Sequence, residues 1–443
     1  MSGPDDRFWV GSEEHALTLE PIEENFENRG ERAVRNRKLT RRGFVETAAG
    51  AALAGLISPA RRINVAAQES IVTQSDSGQR SKIVPGGEAG HRCLEYWKNW
   101  RTSSKQPPRK VVVGTVMQPF WGKYPGLEKR LQQLTEIVDR LQRESQNKYR
   151  RGLDLAVLPE MAITGEGEHI GDVVDWSFPL DGPVKETFGR KAREHRCYIV
   201  APLFLLEDKA KKLCSNAAIL FGRQGEVVGI YRKVHLVVDL ETGSMENGTT
   251  SGKEELVFTC DFGKLGIQIC FDMAFDYGCQ ELARKGAEIV VWPSQSPWTT
   301  LPSWHALHHK YYIVSSTWRS NASVFEPTGR IVSQVKWTPS MGSLQSVQGK
   351  PLTDNILVQE IDLSYAILQW SRSLRNGEAF TEAFGDKVGF HYYEDDERGI
   401  FWSNDPHKTI RQMLRSLNLR EEQEEFELAV ERYHKRQVLG YES

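Results

Sequence analysis

Residues 265–272 read Leu265-Gly266-Ile267-Gln268-Ile269-Cys270-Phe271-Asp272. The run is short, apolar and partly β-branched, as expected of a strand buried inside an α/β sheet. It stops on a thiol followed by a carboxylate. A rigid sheet fixes the side chain at a strand end while its tip reaches a cleft, so such ends are where chemistry is placed. Two other strands stop as abruptly. Leu153-Asp154-Leu155-Ala156-Val157-Leu158-Pro159-Glu160 ends in an acid, and Ile230-Tyr231-Arg232-Lys233-Val234-His235 ends in bases. A carboxylate, an ammonium and a thiol on three strand ends supply a base, a charge stabiliser and a nucleophile.

Taken singly, each has a plainer reading. A strand-end Cys is most often a small packed side chain. A Glu after Pro caps a strand, and a Lys beside Arg is surface charge. Together and in this order they resemble the nitrilase superfamily of carbon–nitrogen hydrolases, with its Glu-Lys-Cys triad. The likeness runs from about Val111 to Asp362 and includes Arg284-Lys285-Gly286-Ala287-Glu288-Ile289-Val290-Val291-Trp292-Pro293-Ser294, which resembles the family's strand after the nucleophile helix.

The resemblance implies a fold and a set of roles. The fold is α/β, a four-layer α-β-β-α sandwich of two sheets packed face to face. Glu160 is the general base, Lys233 the oxyanion stabiliser and Cys270 the nucleophile, with no metal or organic cofactor. A second acid follows the lysine. Glu241, eight positions after Lys233, matches the offset of the aliphatic amidase branch and is favoured, with Glu246 the competing choice. Nitrile-cleaving members commonly carry Trp-Glu after the Cys. Phe271-Asp272 stands closer to the amidase and carbamoylase branches, which points to a small-molecule amide as substrate. Nitrile hydrolysis, acyl transfer and N-carbamoyl hydrolysis stay open on the same triad, as does an inert exported binding protein.

Other candidates read more plainly. Asp272 is expected to hold the nucleophile turn through backbone N–H groups, and His235 to be a loop histidine. His305 and His309 share a helix face. No carboxylate stands between them in zincin fashion, so no metal is expected there. Trp292, Trp298, Trp304 and Trp318 divide between core packing and a pocket wall.

Residues 1–67 are set aside from the fold. Thr40-Arg41-Arg42-Gly43-Phe44-Val45-Glu46 resembles a twin-arginine export motif, preceded by a long acidic front. An Ala/Gly-rich apolar run, Pro59 and the small residues Val65-Ala66-Ala67 follow, with cleavage expected before Gln68. Export across a bacterial inner membrane by the twin-arginine machinery is the expectation, with retention as an uncleaved anchor the alternative. Residues 68–108 read as linker and extension, 109–362 as the hydrolase domain, and 363–443 as a C-terminal extension. In the tail, apolar spacing predicts two amphipathic helices broken near Asn418-Leu419. In the resembling family such extensions often pack on a neighbouring subunit, which implies a homo-oligomer.

Composition restricts the remaining classes. Of 443 residues, 26% are charged and 39% hydrophobic, with a net charge of −2. That balance suits a protein with a sizeable core and gives no electrostatic pull toward nucleic acid. The six cysteines form no CxxC pair, which removes zinc-ribbon and thioredoxin-like readings. Cys270 must stay free, and Cys197, Cys214 and Cys260 read as packed side chains.

Overall fold

The apolar strands group into two six-stranded sheets and a smaller third one. The computed structural model describes residues 103–435 except 167–168, 170 and 343–351. The export segment and the linker as far as residue 102 therefore lie outside the described residues.

The first sheet is built from β1 (Lys110–Val116), β2 (Leu155–Val157), β3 (Tyr198–Asp208), β4 (Leu213–Phe221) and β5 (Val227–Arg232). The second contains β6 (Val257–Thr259), β7 (Lys264–Ile267), β8 (Ile289–Ser294), β9 (Tyr312–Thr317), β10 (Asn321–Phe325) and β11 (Ile331–Lys336). Strand β12 (Ile356–Asp362) returns to the first sheet beside β1. The strand orders are β12-β1-β2-β3-β4-β5 and β11-β10-β9-β8-β7-β6. Strands β1 to β3 run parallel, as do β7 to β9, and the flanking strands are antiparallel. Hence the chemistry-bearing ends of β2, β7 and β8 face one way. The turns at Gly222–Gly225 and Asp261–Lys264 join β4 to β5 and β6 to β7 as their sequences predict.

Helices cover the outer faces. Leu131, Leu134, Ile137, Val138 and Leu141 of α1 (Leu127–Tyr149) form one buried stripe, the geometry expected of apolar residues three and four apart. The short α2 (Val173–Trp176) and α3 (Pro183–His195) lie on the same face. Helices α4 (Asp276–Arg284) and α5 (Thr300–His309) cover the second sheet. Between the sheets, Val111, Val113, Leu155, Val157, Leu265, Ile267, Val291 and Val314 form a separate core. The order of layers is thus α-β-β-α. Cross-sheet bonds tie the layers together: Thr115 Oγ1 donates to the Ser315 carbonyl at 2.6 Å, and Ser316 Oγ to the Val116 carbonyl at 2.9 Å.

The C-terminal region holds more than helices. Beyond the sandwich, β13 (Tyr365–Gln369), α6 (Glu378–Phe384), β14 (Val388–Tyr393) and β15 (Arg398–Ser403) precede α7 (Ile410–Ser416) and α8 (Glu422–Lys435). The three strands form a sheet in the order β13-β15-β14. The sequence predicts only helices in the 363–443 extension, because aromatic, charged and glycine residues interrupt any strand alternation in 365–403. The two tail helices fall where expected, with Asn418 between them in the left-handed conformation. Both pack on their own chain, with Glu422 of α8 paired to Lys310 at 3.4 Å and Arg398 at 2.7 Å. Among the described residues no helix is long and apolar enough to cross a membrane.

Candidate active site

Three strand ends converge. Glu160 follows β2, Lys233 directly follows β5, and Cys270 opens a 3-10 turn (Cys270–Ala274) just after β7. The acid and ammonium come from one sheet and the thiol from the other. All three are buried, at 1%, 1% and 5% exposure. Lys233 Nζ lies 3.0 Å from Glu160 Oε1. The charges of Glu160, Lys233 and Glu246 all act on the Cys270 thiol.

The supports of this cluster are specific. Glu160 Oε1 accepts from Asn216 Nδ2 at 2.9 Å, and Oε2 accepts the Gln295 backbone N–H at 3.0 Å. Two buried indoles hold the backbone. Trp318 Nε1–H donates to the Glu160 carbonyl at 2.7 Å and Trp292 Nε1–H to the Cys270 carbonyl at 2.9 Å. Cys270 has φ 46°, a left-handed conformation that costs a non-glycine residue about 1–3 kcal/mol and persists only where its surroundings enforce it. Asp272 is one enforcer. Its Oδ2 accepts the Ile269 N–H at 3.0 Å and its Oδ1 the His235 N–H at 2.7 Å. His235 also brings Nδ1 to 2.9 Å from Asp272 Oδ1.

The acid that reaches the cluster after Lys233 is Glu246, not the Glu241 favoured by offset. Glu241 is exposed on a surface turn, where the Asp239 carboxylate accepts the N–H groups of Glu241 and Thr242, each at 2.9 Å. That capped turn points Glu241 away from the cluster. The chain then returns through a bridge between Val238 and Met245. This brings Glu246 Oε2 to 2.6 Å from Lys233 Nζ and Oε1 to 2.6 Å from Asn216 Nδ2. Asn216 had one legible signal, an amide opening the apolar run Ala217–Phe221. Gln295 and Glu166 had none. Glu166 joins from the loop after Glu160, its Oε2 accepting from Gln295 Nε2 at 2.5 Å.

The sequence pattern of the carbon-nitrogen hydrolase family matches residues 115–367, over half of the chain. The chain belongs to this family. This hydrolase is 26% identical to the omega-amidase NIT3 of Saccharomyces cerevisiae over 258 residues, covering 53% of this chain and 86% of that protein. It is 28% identical to the deaminated glutathione amidase of Homo sapiens over 220 residues, 43% of this chain and 66% of that one. A nitrilase of Pyrococcus abyssi is 31% identical over 172 residues, 38% and 63% of the two chains. The crystal structure of S. cerevisiae Nit3, a branch 10 member of the nitrilase superfamily, aligns at 19% identity with a TM-score of 0.44, covering 62% of this chain and 94% of that one.

Electrostatics in the hydrolase follow from burial. Burial, and then the Glu160 charge, push the Cys270 thiol up to about 12. The resting thiol is therefore neutral. Burial raises the Glu160 carboxyl, opposed by Lys233 and reinforced by Glu246. For Lys233 burial is the largest single influence and lowers it, but Glu160, Glu246 and Cys270 together carry it well above the ordinary lysine value. The ammonium stays charged.

Behind the turn that opens at Cys270, one hydroxyl faces two acids. Tyr231 Oη lies 2.8 Å from Asp272 Oδ2 and 3.0 Å from Glu255 Oε2. Burial, and then the Asp272 charge, push Glu255 from 4.5 up to about 7. Below the ordinary value the group is neutral in the folded and unfolded chain alike and costs nothing. As pH rises from 4.5 to about 7 the unfolded chain ionises first and stability falls; above that the loss is constant. The shift corresponds to a few kcal/mol at most, on the order of 1.4 per pKa unit. Glu255→Gln keeps an acceptor for Tyr231 without the charge. It should raise the calorimetric melting temperature at about pH 8 and lose that advantage near pH 4.5. An equal effect at both pH values would contradict this account.

Proposed function

We propose that this hydrolase cleaves a small non-peptide amide through a Cys270 thioester. The observation that supports this best is the buried pairing of Glu160 with Lys233 at 3.0 Å, in a site where both charges act on the buried Cys270 thiol. Sulfur attacks the carbonyl carbon as Glu160 takes the thiol proton, so the thiolate forms only as it is consumed. Negative charge builds on the carbonyl oxygen, and Lys233 offsets it. Collapse breaks the C–N bond and Glu160 returns its proton to the leaving amine. Water then attacks the thioester, losing a proton to Glu160 and releasing the acid and the free thiol. Amide is preferred to nitrile on Phe271-Asp272 after the nucleophile and on the amidase names of the two relatives from S. cerevisiae and H. sapiens. The nitrilase relative keeps nitrile hydrolysis as the second reading, with acyl transfer and carbamoyl hydrolysis on the same triad. Purified enzyme incubated with short amides, nitriles and carbamoyl amines separates these by product. No turnover across the panel and no Cys270 acylation by mass spectrometry would end the proposal.

Glu246, rather than Glu241, is proposed as the acid that steadies Lys233 and the attacking water. Glu246→Gln should lower kcat by about 10–100-fold, since it removes a charged partner from a buried ammonium. Glu241→Gln should leave kcat within twofold. Steady-state kinetics of the two variants check the assignment, and the reverse order would transfer the role to Glu241.

Residues 1–67 are proposed to direct export by the twin-arginine route. Replacing both Arg41 and Arg42 by Lys should hold the chain in the cytoplasm on cell fractionation. Unchanged export would remove the leader reading. Self-association, implied by the family resemblance, belongs to the same proposal; a monomer by sedimentation would exclude it.

A further inference from the structure

The sequence sets aside His305 and His309 as a metal pair because no carboxylate lies between them. In the fold, a carboxylate arrives from another helix. Asp276 is the first residue of α4 and faces the histidines across the seam with α5. Its Oδ1 lies 2.7 Å from His309 Nε2 and 3.4 Å from His305 Nδ1. One ligand atom from each of the three residues lies within 4.8 Å of the others.

The polar accounting at His305 is incomplete as it stands. His305 is 1% exposed. Its Nε2 lies 2.9 Å from the Met273 carbonyl. A carbonyl only accepts, so Nε2 carries the hydrogen and Nδ1 of the neutral ring carries a lone pair. That Nδ1 is buried with no hydrogen-bond partner, although it faces a carboxylate oxygen. Two acceptors directed at each other repel unless a cation stands between them. A metal ion between them would satisfy the His305 lone pair and the Asp276 carboxylate at once. An imidazole whose far N–H is fixed by a backbone carbonyl is also how ligating histidines are oriented.

We propose that Asp276, His305 and His309 form a binding site for a first-row divalent transition metal such as zinc. Two nitrogens and one oxygen suit that class better than magnesium or calcium, which take oxygen ligands. Bonds of about 2.0–2.1 Å in a tetrahedral centre set ligand–ligand edges of about 3.3 Å. The His305–Asp276 edge is already near that value. The His309–Asp276 edge must widen by roughly 0.6 Å, which Asp276 can supply because its side chain is 52% exposed. The same exposure leaves water a place at the fourth position. Met273 belongs to the nucleophile turn and α4 starts just after it, so the ion would brace that turn against α5.

The test is titration of the full chain, prepared without a histidine tag and dialysed against chelator, with Co²⁺ and then Zn²⁺. The expected result is one equivalent of Co²⁺ with visible d–d absorption, displaced by Zn²⁺, and a higher melting temperature with metal. Asp276→Asn and His309→Gln should each weaken Co²⁺ binding by on the order of 100-fold, at least the loss an outer partner alone can cause. Far-UV circular dichroism verifies that each variant is folded, and the exposed Asp276 side chain makes its variant the safer one. Absence of saturable Co²⁺ binding by the folded wild-type chain would overturn the site. So would binding that persists unchanged in both variants. Neither result touches the hydrolase reading, which uses none of these residues.

Discussion

Cys270→Ala is expected to reduce amide turnover to background, a loss on the order of 10⁶ by comparison with removal of other covalent nucleophiles. The chain should still fold. The site loses one buried sulfur, and a deletion of that size costs about 1 kcal/mol. Folding and turnover therefore separate cleanly, which a change at Glu160 or Lys233 does not allow. Cys270→Ser should be nearly as inactive. A hydroxyl is a far poorer nucleophile than a thiol at neutral pH, and Glu160 alone is a weak base for it. The measurement pairs steady-state hydrolysis with intact-mass detection of an acyl adduct, expected on the wild-type chain and absent from Cys270→Ala. Normal turnover in a folded Cys270→Ala chain would remove the thioester mechanism altogether.

How far the sequence reaches is decided residue by residue. The strand ends at Glu160, Lys233 and Cys270 are legible because an apolar run that stops on a polar residue is a local pattern. That three such ends meet is not local. It depends on parallel strands in two sheets facing the same way, which the family resemblance supplied. Glu241 and Glu246 differ by a turn: the Asp239 cap sends one outward and the return bridge brings the other in. An offset along the chain carries no information about which way a capped turn faces. Asp276 shows the same limit from the other side. A carboxylate that reaches two histidines from another helix has no spacing signature, so the missing acid between His305 and His309 carried no information about Asp276. The third sheet escaped because its strands are buried on both faces, Ala366, Leu368 and Phe401 against α6 and α7 and Tyr365, Ile367 and Ile400 against the core between the sheets, so they show no apolar/polar alternation.

Lys233→Ala is expected to have two large effects with different origins. Turnover should fall by about 10²–10³ or more, the usual loss when a fixed donor to a developing oxyanion is removed. Stability should also fall, because Glu160 and Glu246 would face each other in a buried site without their shared ammonium. Breaking a buried ion pair from one side costs about 3–5 kcal/mol. The carboxylates can relieve this by taking up a proton, so the cost should shrink as pH falls through the carboxyl range, which burial already displaces upward for Glu160. A double variant separates the effects. Lys233→Met with Glu246→Gln removes the second charge and fills the space with hydrocarbon, so it should recover most of the lost melting temperature. It should not recover turnover, because no positive charge faces the oxyanion. If the double variant regained activity along with stability, the lysine would be a structural counter-ion, and oxyanion stabilisation would have to come from elsewhere in the cleft.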